Sequence, residues 1–251
     1  MAKSNEKAFI LGLSGLSSSG KTTLSRLLRT VFGPSCSILH QDDFYRPEEE
    51  LPMVDGLRDW DCVEAVDFPA MIRVLGYIHT HGELPDELDS KEDQNTIGNS
   101  GVSLQEVEDV GRVVRESGLE INLKILDGFL LFHDDEVMSL LDAKIFLRAP
   151  YEKAKQRREA RIGYATIEGF WEDPPGYFDK IVWPSYVKFH KRLFMGGVVS
   201  GDLDSELLET ENTHSPREVD LPMNIILPWA VDIILNEAKR RQLGVDVSKN
   251  L

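Results

Sequence analysis

The chain has 251 residues, 41% of them hydrophobic, with 43 acidic side chains against 28 basic ones, a net charge of −15 and a pI near 4.8. That length suits a single α/β domain, residues 1–251, able to bury a large core. The negative charge argues against a nucleic-acid backbone or an anionic membrane as partner, and two cysteines without paired or metal-type spacing, Cys36 and Cys62, give neither a disulfide framework nor a zinc site.

No apolar stretch approaches the length of a membrane span. The opening residues Met1–Lys7 lack the features of a signal or transit peptide. A reduced, cytoplasmic protein is therefore expected, with a monomer as the default.

Residues 8–13 form a short apolar run, as a buried parallel strand should. It empties into a glycine- and serine-rich turn matching GxxxxGK(S/T), with Gly15, Gly20, Lys21 and Thr22 in the four fixed places. Leu24, Leu27, Leu28 and Val31 then recur at helical spacing. A strand before the pattern and a helix after it are what a phosphate-binding loop requires. In such a loop the backbone N–H groups of Gly15, Ser17, Ser18, Ser19, Gly20, Lys21, Thr22 and Thr23 surround phosphate oxygens, and the helix adds the positive end of its dipole. Lys21 would reach the β- and γ-phosphates, and Thr22 would offer its hydroxyl to Mg²⁺.

The helix should stop near Phe32-Gly33-Pro34. Residues 36–40 predict a second strand, closing on Gln41-Asp42-Asp43-Phe44-Tyr45. Parallel sheets place ligand-binding groups at the carboxyl ends of strands, so Asp42 and Asp43 fall on the rim that carries the phosphate loop. Residues 46–58 read as loop. Asp67 reads as a helix cap with Pro69 in the first turn, ahead of an apolar face of Met71, Ile72, Leu75 and Ile78.

Residues 82–101 hold six acidic side chains against Lys91 and hardly an apolar anchor. Such a composition reads as a mobile insertion, here within 82–119, with a short helix around 103–110. A strand over 120–127 ends on Asp127, and another spans 143–148. Pro150 opens a basic helix, Tyr151–Ile162, the start of a lid region over 151–180. Residues 201–220 carry seven acidic side chains against Arg217 and read as part of a second flexible insertion, 196–222. Met223–Leu227 predicts a last short strand, and an amphipathic helix from about Pro228 to Leu243 closes the chain. Alternating strands and helices predict an α/β fold, a mostly parallel sheet flanked by helices on both faces.

Phosphoryl transfer needs a phosphate cradle, Mg²⁺, a carboxylate near the acceptor hydroxyl and arginines around the transferred group. Adjacent side chains in an extended segment face opposite ways, so one of Asp42 and Asp43 should face the site; Asp42 is the choice, against a reading of both as turn residues. Asp127 ends an apolar strand, the setting of a metal-holding carboxylate, although an Asp before Gly is also an ordinary turn signal. Arg157, Arg158 and Arg161 lie at i, i+1 and i+4, either a catalytic cluster or a solvated face paired with Glu152 and Glu159. Trp60, Asp61 and Tyr164 suggest a small-molecule pocket, though an aromatic beside a helix start also serves simple packing.

The blocks Gly15–Thr23, Gln41–Pro47, Trp60–Ala65, Asp127–Phe132, Pro150–Glu152, Arg157–Arg161 and Pro175–Pro184 occur in the order and character of the nicotinamide riboside kinases, within the uridine-kinase-like P-loop kinases. The chain resembles this family over roughly 8–80 and 120–190. The resemblance implies a P-loop kinase fold using ATP and Mg²⁺, with nicotinamide riboside as acceptor and nicotinic acid riboside as a further candidate. By position, Asp42 would be the base for the ribose 5′-hydroxyl. Asp61 would bind the ribose hydroxyls, and Trp60 would stack on the pyridine ring. Lys21, Arg157, Arg158 and Arg161 would be catalytic, Arg158 also touching substrate, and Thr22 and Asp127 would hold the metal.

Two departures stand out. Asp127 takes the place of a usual Glu, one methylene longer, so its Mg²⁺ contact would run through water. Tyr164 stands one residue beyond the family's spacing for a second stacking tyrosine. Both acidic insertions are longer than in compact relatives. A pyridinium acceptor would gain about 0.5–2 kcal/mol of cation–π attraction from Trp and Tyr at the pocket. Uridine or cytidine would not, and either is the alternative acceptor. A P-loop switch module is the other reading; it expects an NKxD stretch, which the chain lacks, and the single DxxG match, Asp173–Gly176, follows no predicted strand.

Overall fold

A computed structural model describes residues 7–88, 90, 99–161, 163–166 and 169–244, with 164–166 and 169–170 described by their backbone alone. Numbered in chain order, β1 (Phe9–Gly15), β2 (Cys36–His40), β5 (Leu123–Asp127), β6 (Ala143–Leu147) and β9 (Thr213–His214) build one sheet in the order β2-β5-β1-β6-β9. Every pairing in it is parallel.

Because side chains alternate along a strand, each strand feeds two cores. Phe9, Leu11, Leu13, Ile125 and Ile145 enter one layer with α1 (Lys21–Phe32), α3 (Leu104–Glu116) and α8 (Met223–Gln242). Ile10, Leu126 and Phe146 enter the other with α2 (Phe68–His81), α4 (Asp135–Ser139) and α6 (Trp183–His190). Both faces are thus covered, as expected. Register sets Asp127 opposite Leu13 and His40, so the ends of β1, β2 and β5 share one rim.

Several local expectations are corrected. Met223–Leu227 is the start of α8, not a strand. Ile226, Leu227, Ala230, Val231, Ile234 and Ala238 are buried at helical spacing straight through Pro228. An interior proline costs about 3 kcal/mol or more, but burying Ile226 and Leu227 returns roughly 1.5–3 kcal/mol each. Residues 201–220 contain α7 (Ser205–Thr210) and the edge strand β9, which is too short to show a period.

The short helix expected around 103–110 runs on to Glu116. A Ser103/Glu106 capping box starts it, and its apolar side packs on the α1 and α8 layer. Residues 89 and 91–98 of the expected mobile stretch lie outside the described residues. Within 46–58 a hairpin forms, β3 (Met53–Val54) and β4 (Leu57–Arg58), turning through Asp55 and Gly56, both at positive φ. The basic helix, α5 (Tyr151–Glu159), ends earlier than expected, so Arg161 lies beyond it and shares no helix face with Arg157.

Candidate active site

The turn from β1 into α1 runs close against β6. Gly15 sits at φ 139°, and a Cβ there would stand 2.0 Å from the Leu147 carbonyl oxygen; only glycine lets the loop pass this close to β6. Gly20, at φ 101°, is the N-cap of α1 and brings no side-chain cap, so the first amides of the helix remain available. Ser18 adopts φ 63°. The hydroxyls of Ser18 and Ser19 are buried without a hydrogen-bond partner. Buried orphan donors beside an uncapped helix start are the chemistry a polyphosphate satisfies.

Lys21 is buried, and its Nζ donates to the carbonyls of Gly15 (3.1 Å) and Leu16 (3.0 Å). Burial pulls its pKa down to about 8, against the opposing pull of Asp127; Arg161 pushes the same way as burial. Thr22 and Thr23 are half-buried in the first turn of α1. Asp127 is buried at the end of β5, where its Oδ2 accepts from Ser25 Oγ at 3.3 Å and lies 3.7 Å from His40 Nδ1. Among the described residues no three His, Cys, Asp or Glu form a ready metal cage. Mg²⁺ needs none, since one or two carboxylates and the substrate phosphates suffice, and Thr22 and Asp127 would be the residues to hold it.

After β2, Gln41–Phe44 turn through a single 3-10 helix. Gln41 Oε1 accepts from the Leu130 amide at 2.9 Å, which fastens this turn to the segment that follows Asp127. Asp43 points back to the scaffold, 3.4 Å from the His40 amide and 2.9 Å from Ser90 Oγ. Asp42 is open to the cleft. Although exposed, it has enough protein packed around it for its carboxylate to be partly desolvated. This desolvation pushes its pKa up to about 6, with Asp127 and Asp43 adding to the rise and His40 and Lys21 opposing it.

Arg158 joins the two sides of the cleft. It is buried on α5, with Nη1 2.8 Å from Ser17 Oγ in the phosphate loop and 3.5 Å from Asp61 Oδ1. Its Nε and Nη2 grip Asp173 at 2.6 and 3.1 Å, and the guanidinium lies 5.5 Å from the Tyr177 ring centre. A buried charge needs such partners on every side. Asp61 is buried beside it; burial raises the carboxyl's pKa, and the Arg158 charge opposes the rise.

Around these charges stands an aromatic wall. Trp60 meets Tyr45 edge-on at 5.2 Å and Trp171 at 5.7 Å, and Trp171 meets Tyr177 at 6.0 Å. The Tyr177 hydroxyl accepts from the Trp60 amide at 3.1 Å, and Trp171 Nε1 donates to Asp173 at 2.9 Å. Trp60 Nε1 is buried without a partner.

Of the expected site residues, the structure brings Lys21, Asp42, Asp127, Asp61, Trp60 and Arg158 to one cleft. Arg157 reaches the loop from outside, its Nη1 3.4 Å from the Ser18 carbonyl. Arg161 is exposed, close enough to depress Lys21. The Tyr164 side chain lies outside the described residues; its backbone faces Trp171 across the hairpin β7 (Tyr164–Thr166) and β8 (Gly169–Trp171). Sequence reasoning gave no role to Tyr45, Trp171, Asp173 or Tyr177. Tyr45 and Tyr177 lie inside two of the blocks that carry the resemblance, but nothing in the sequence marks Trp171.

Cys36 and Cys62 are free and buried, and burial pushes both thiols up to about 12, so neither is a nucleophile near neutral pH. Among the described residues no helix is long and apolar enough to cross a membrane.

No protein-family model matches the chain. A nicotinamide riboside kinase of Schizosaccharomyces pombe is 37% identical over 230 residues, 92% of this chain and 97% of that one. The nicotinamide riboside kinase of Saccharomyces cerevisiae is 34% identical over 244 residues, covering 94% and 99%. Human nicotinamide riboside kinase 1 is 31% identical over 240 residues, covering 95% and 98%. At this identity over nearly the whole length of each relative, the chain belongs to the nicotinamide riboside kinase family.

Proposed function

We propose that the protein uses ATP and Mg²⁺ to phosphorylate the ribose 5′-hydroxyl of nicotinamide riboside, giving nicotinamide mononucleotide and ADP. The observation that carries this reading is Arg158, which bonds Ser17 of the phosphate loop at 2.8 Å while standing 3.5 Å from Asp61 of the aromatic recess. One guanidinium spans a donor side and an acceptor side. A nucleotide-binding switch has no use for the second.

Asp42 takes the proton of the 5′-hydroxyl as that oxygen bonds the γ-phosphorus and the bond from the γ-phosphorus to the bridging oxygen of ADP breaks. A carboxyl pushed up to about 6 is still mostly ionised at neutral pH yet basic enough to accept the proton. Lys21, Arg157 and Arg161 neutralise charge on the transferred group. The loop amides with the Ser18 and Ser19 hydroxyls hold the donor phosphates. Thr22 and Asp127 would hold Mg²⁺, which when bound would supply further charge neutralisation.

On the acceptor side Asp61 and Arg158 would bind the ribose hydroxyls, and Trp60 and Trp171 offer faces to the base. A cationic pyridinium suits a recess of aromatic rings and carboxylates better than a neutral pyrimidine does. Phosphorus NMR of a reaction with Mg·ATP and nicotinamide riboside tests the reading. Equal amounts of ADP and a 5′-monophosphate should appear, and ADP formation without a nucleoside phosphate would overturn it.

A further inference from the structure

The last residues of the second acidic segment reach the phosphate loop. We propose that Asp220 is a positioning residue that holds Arg157 against that loop and so completes the nucleotide side of the site. This inference rests on reading Gly15–Thr23 as the nucleotide site but not on the identity of the acceptor.

Asp220 bonds two cations of α5, Lys153 through Oδ2 and Arg157 through Oδ1, the latter at 2.8 Å. The carboxylate side chain is 8% exposed, whereas Arg157 is 41% and Lys153 53% exposed. The acid is therefore the fixed member, and the two long side chains are pinned to it. The same Arg157 Nη1 that meets Asp220 also lies 3.4 Å from the carbonyl of Ser18, the loop residue at positive φ.

The backbone around Asp220 is itself anchored. Arg148, just past β6, donates to the carbonyls of Pro216 (2.8 Å) and Arg217 (2.9 Å). It follows Leu147, whose carbonyl crowds Gly15, so one strand end braces both the phosphate loop and the segment carrying Asp220. Asp220 adopts φ 59°, a conformation that Asp tolerates better than most residues but that is still unfavourable. Strain of this kind persists where surrounding contacts over-determine it.

An exposed arginine has many rotamers, and ordering it when ligand arrives weakens binding. Asp220 does the ordering beforehand. Nη1 faces Asp220 and Ser18, which leaves the Nε and Nη2 hydrogens of the guanidinium for phosphate oxygens.

The test is the affinity for Mg·ATP, measured calorimetrically without acceptor, for the wild type, Asp220→Asn, Arg157→Gln and the double variant, with melting curves to verify folding. Asp220→Asn should weaken binding about fivefold and Arg157→Gln about tenfold, and the double variant should be no weaker than Arg157→Gln, since one residue acts through the other. Lys153→Gln should change affinity less than about twofold, as an exposed pair does. Wild-type affinity in Asp220→Asn, or losses that multiply in the double variant, would overturn the proposal. If Asp220→Asn does not fold, Asp220→Glu carries the test, because it keeps the charge, displaces the carboxylate by one methylene, and should show the same coupling to Arg157. A wild-type protein that does not bind Mg·ATP would remove the nucleotide site and the proposal with it, a result distinct from binding without coupling.

Discussion

The two sides of the cleft are built in different ways. The donor side is one continuous segment, Phe9 to Phe32, whose chemistry lies mostly in its backbone: glycines at positive φ, an uncapped helix start and a lysine folded over its own loop carbonyls. The acceptor side is assembled from side chains of three separate segments, Asp42 and Tyr45, Trp60 and Asp61, and Arg158 with Trp171, Asp173 and Tyr177. Backbone sites tolerate no change of geometry but accept any ligand with the right phosphates. Side-chain sites can be retuned one residue at a time, and that is where specificity for the acceptor should sit.

Substitutions can break this division, and the largest effect belongs where the two sides meet. Asp42→Ala should lower turnover about 10²–10⁴-fold by removing the base, with Mg·ATP affinity within about twofold of wild type, as a positioned base outside the cradle implies. For the wild type, kcat/KM should fall as pH drops through about 6, because protonated Asp42 cannot accept the hydroxyl proton. It should fall again above about 8 as free-enzyme Lys21 loses its charge. A flat profile between pH 5 and 7 would move the base elsewhere.

Next in size, Lys21→Ala should cost about 10²–10³ in turnover, the scale of removing one preorganised donor to developing charge. Steady-state kinetics at saturating ATP checks it. Asp61→Ala should act on the other side alone, raising the KM for nucleoside about 10–100-fold, the worth of a hydrogen bond to a charged group, while the KM for ATP stays put. Trp171→Leu should raise the KM for nicotinamide riboside about two- to thirtyfold through lost cation–π attraction and leave that for uridine nearly unchanged. Equal losses for both nucleosides would make Trp171 a packing residue only.

The smallest effect is on stability. The folded pKa of Asp42 lies above its ordinary 3.8, so the folded state binds this proton more tightly than the unfolded chain does. The carboxylate therefore opposes folding above about pH 6, and the penalty disappears below about pH 4. Asp42→Asn should melt higher than the wild type at pH 8 and at the same temperature near pH 3.5, as expected where function is held against stability.

The donor side and the sheet were legible in the sequence because each rests on local pattern. The Gly15–Thr22 spacing, the apolar strands and the strand-end carboxylates Asp42 and Asp127 all fall within short windows. What escaped had no local signature. Thr213 and His214 complete the sheet with only two residues, and Pro228 conceals only the first turn of a helix that was otherwise expected. The Asp55-Gly56 hairpin did carry a turn signal, set in a stretch otherwise read as loop.

On the acceptor side, Trp60 and Asp61 suggest a pocket by residue type, but only the resemblance gives each a role, because an aromatic next to an acid is common in any surface turn. Trp171 reaches Trp60 and Asp173 reaches Arg158 through tertiary packing that no spacing encodes. Asp220 lies in an acidic stretch whose composition gave no reason to single out one carboxylate, and only its paired contacts with Lys153 and Arg157 do so.

The central claim is that a general phosphate cradle is coupled to an acceptor recess shaped for a pyridinium nucleoside. Its most direct test is kcat/KM for nicotinamide riboside, uridine and cytidine, measured by ADP release under identical Mg·ATP. A preference for nicotinamide riboside of at least about tenfold, with little ADP formed when no nucleoside is present, is the predicted result; a recess gaining about 1.4 kcal/mol from a cationic base would give it. Equal or better use of uridine, or ADP release indifferent to any nucleoside, would contradict it.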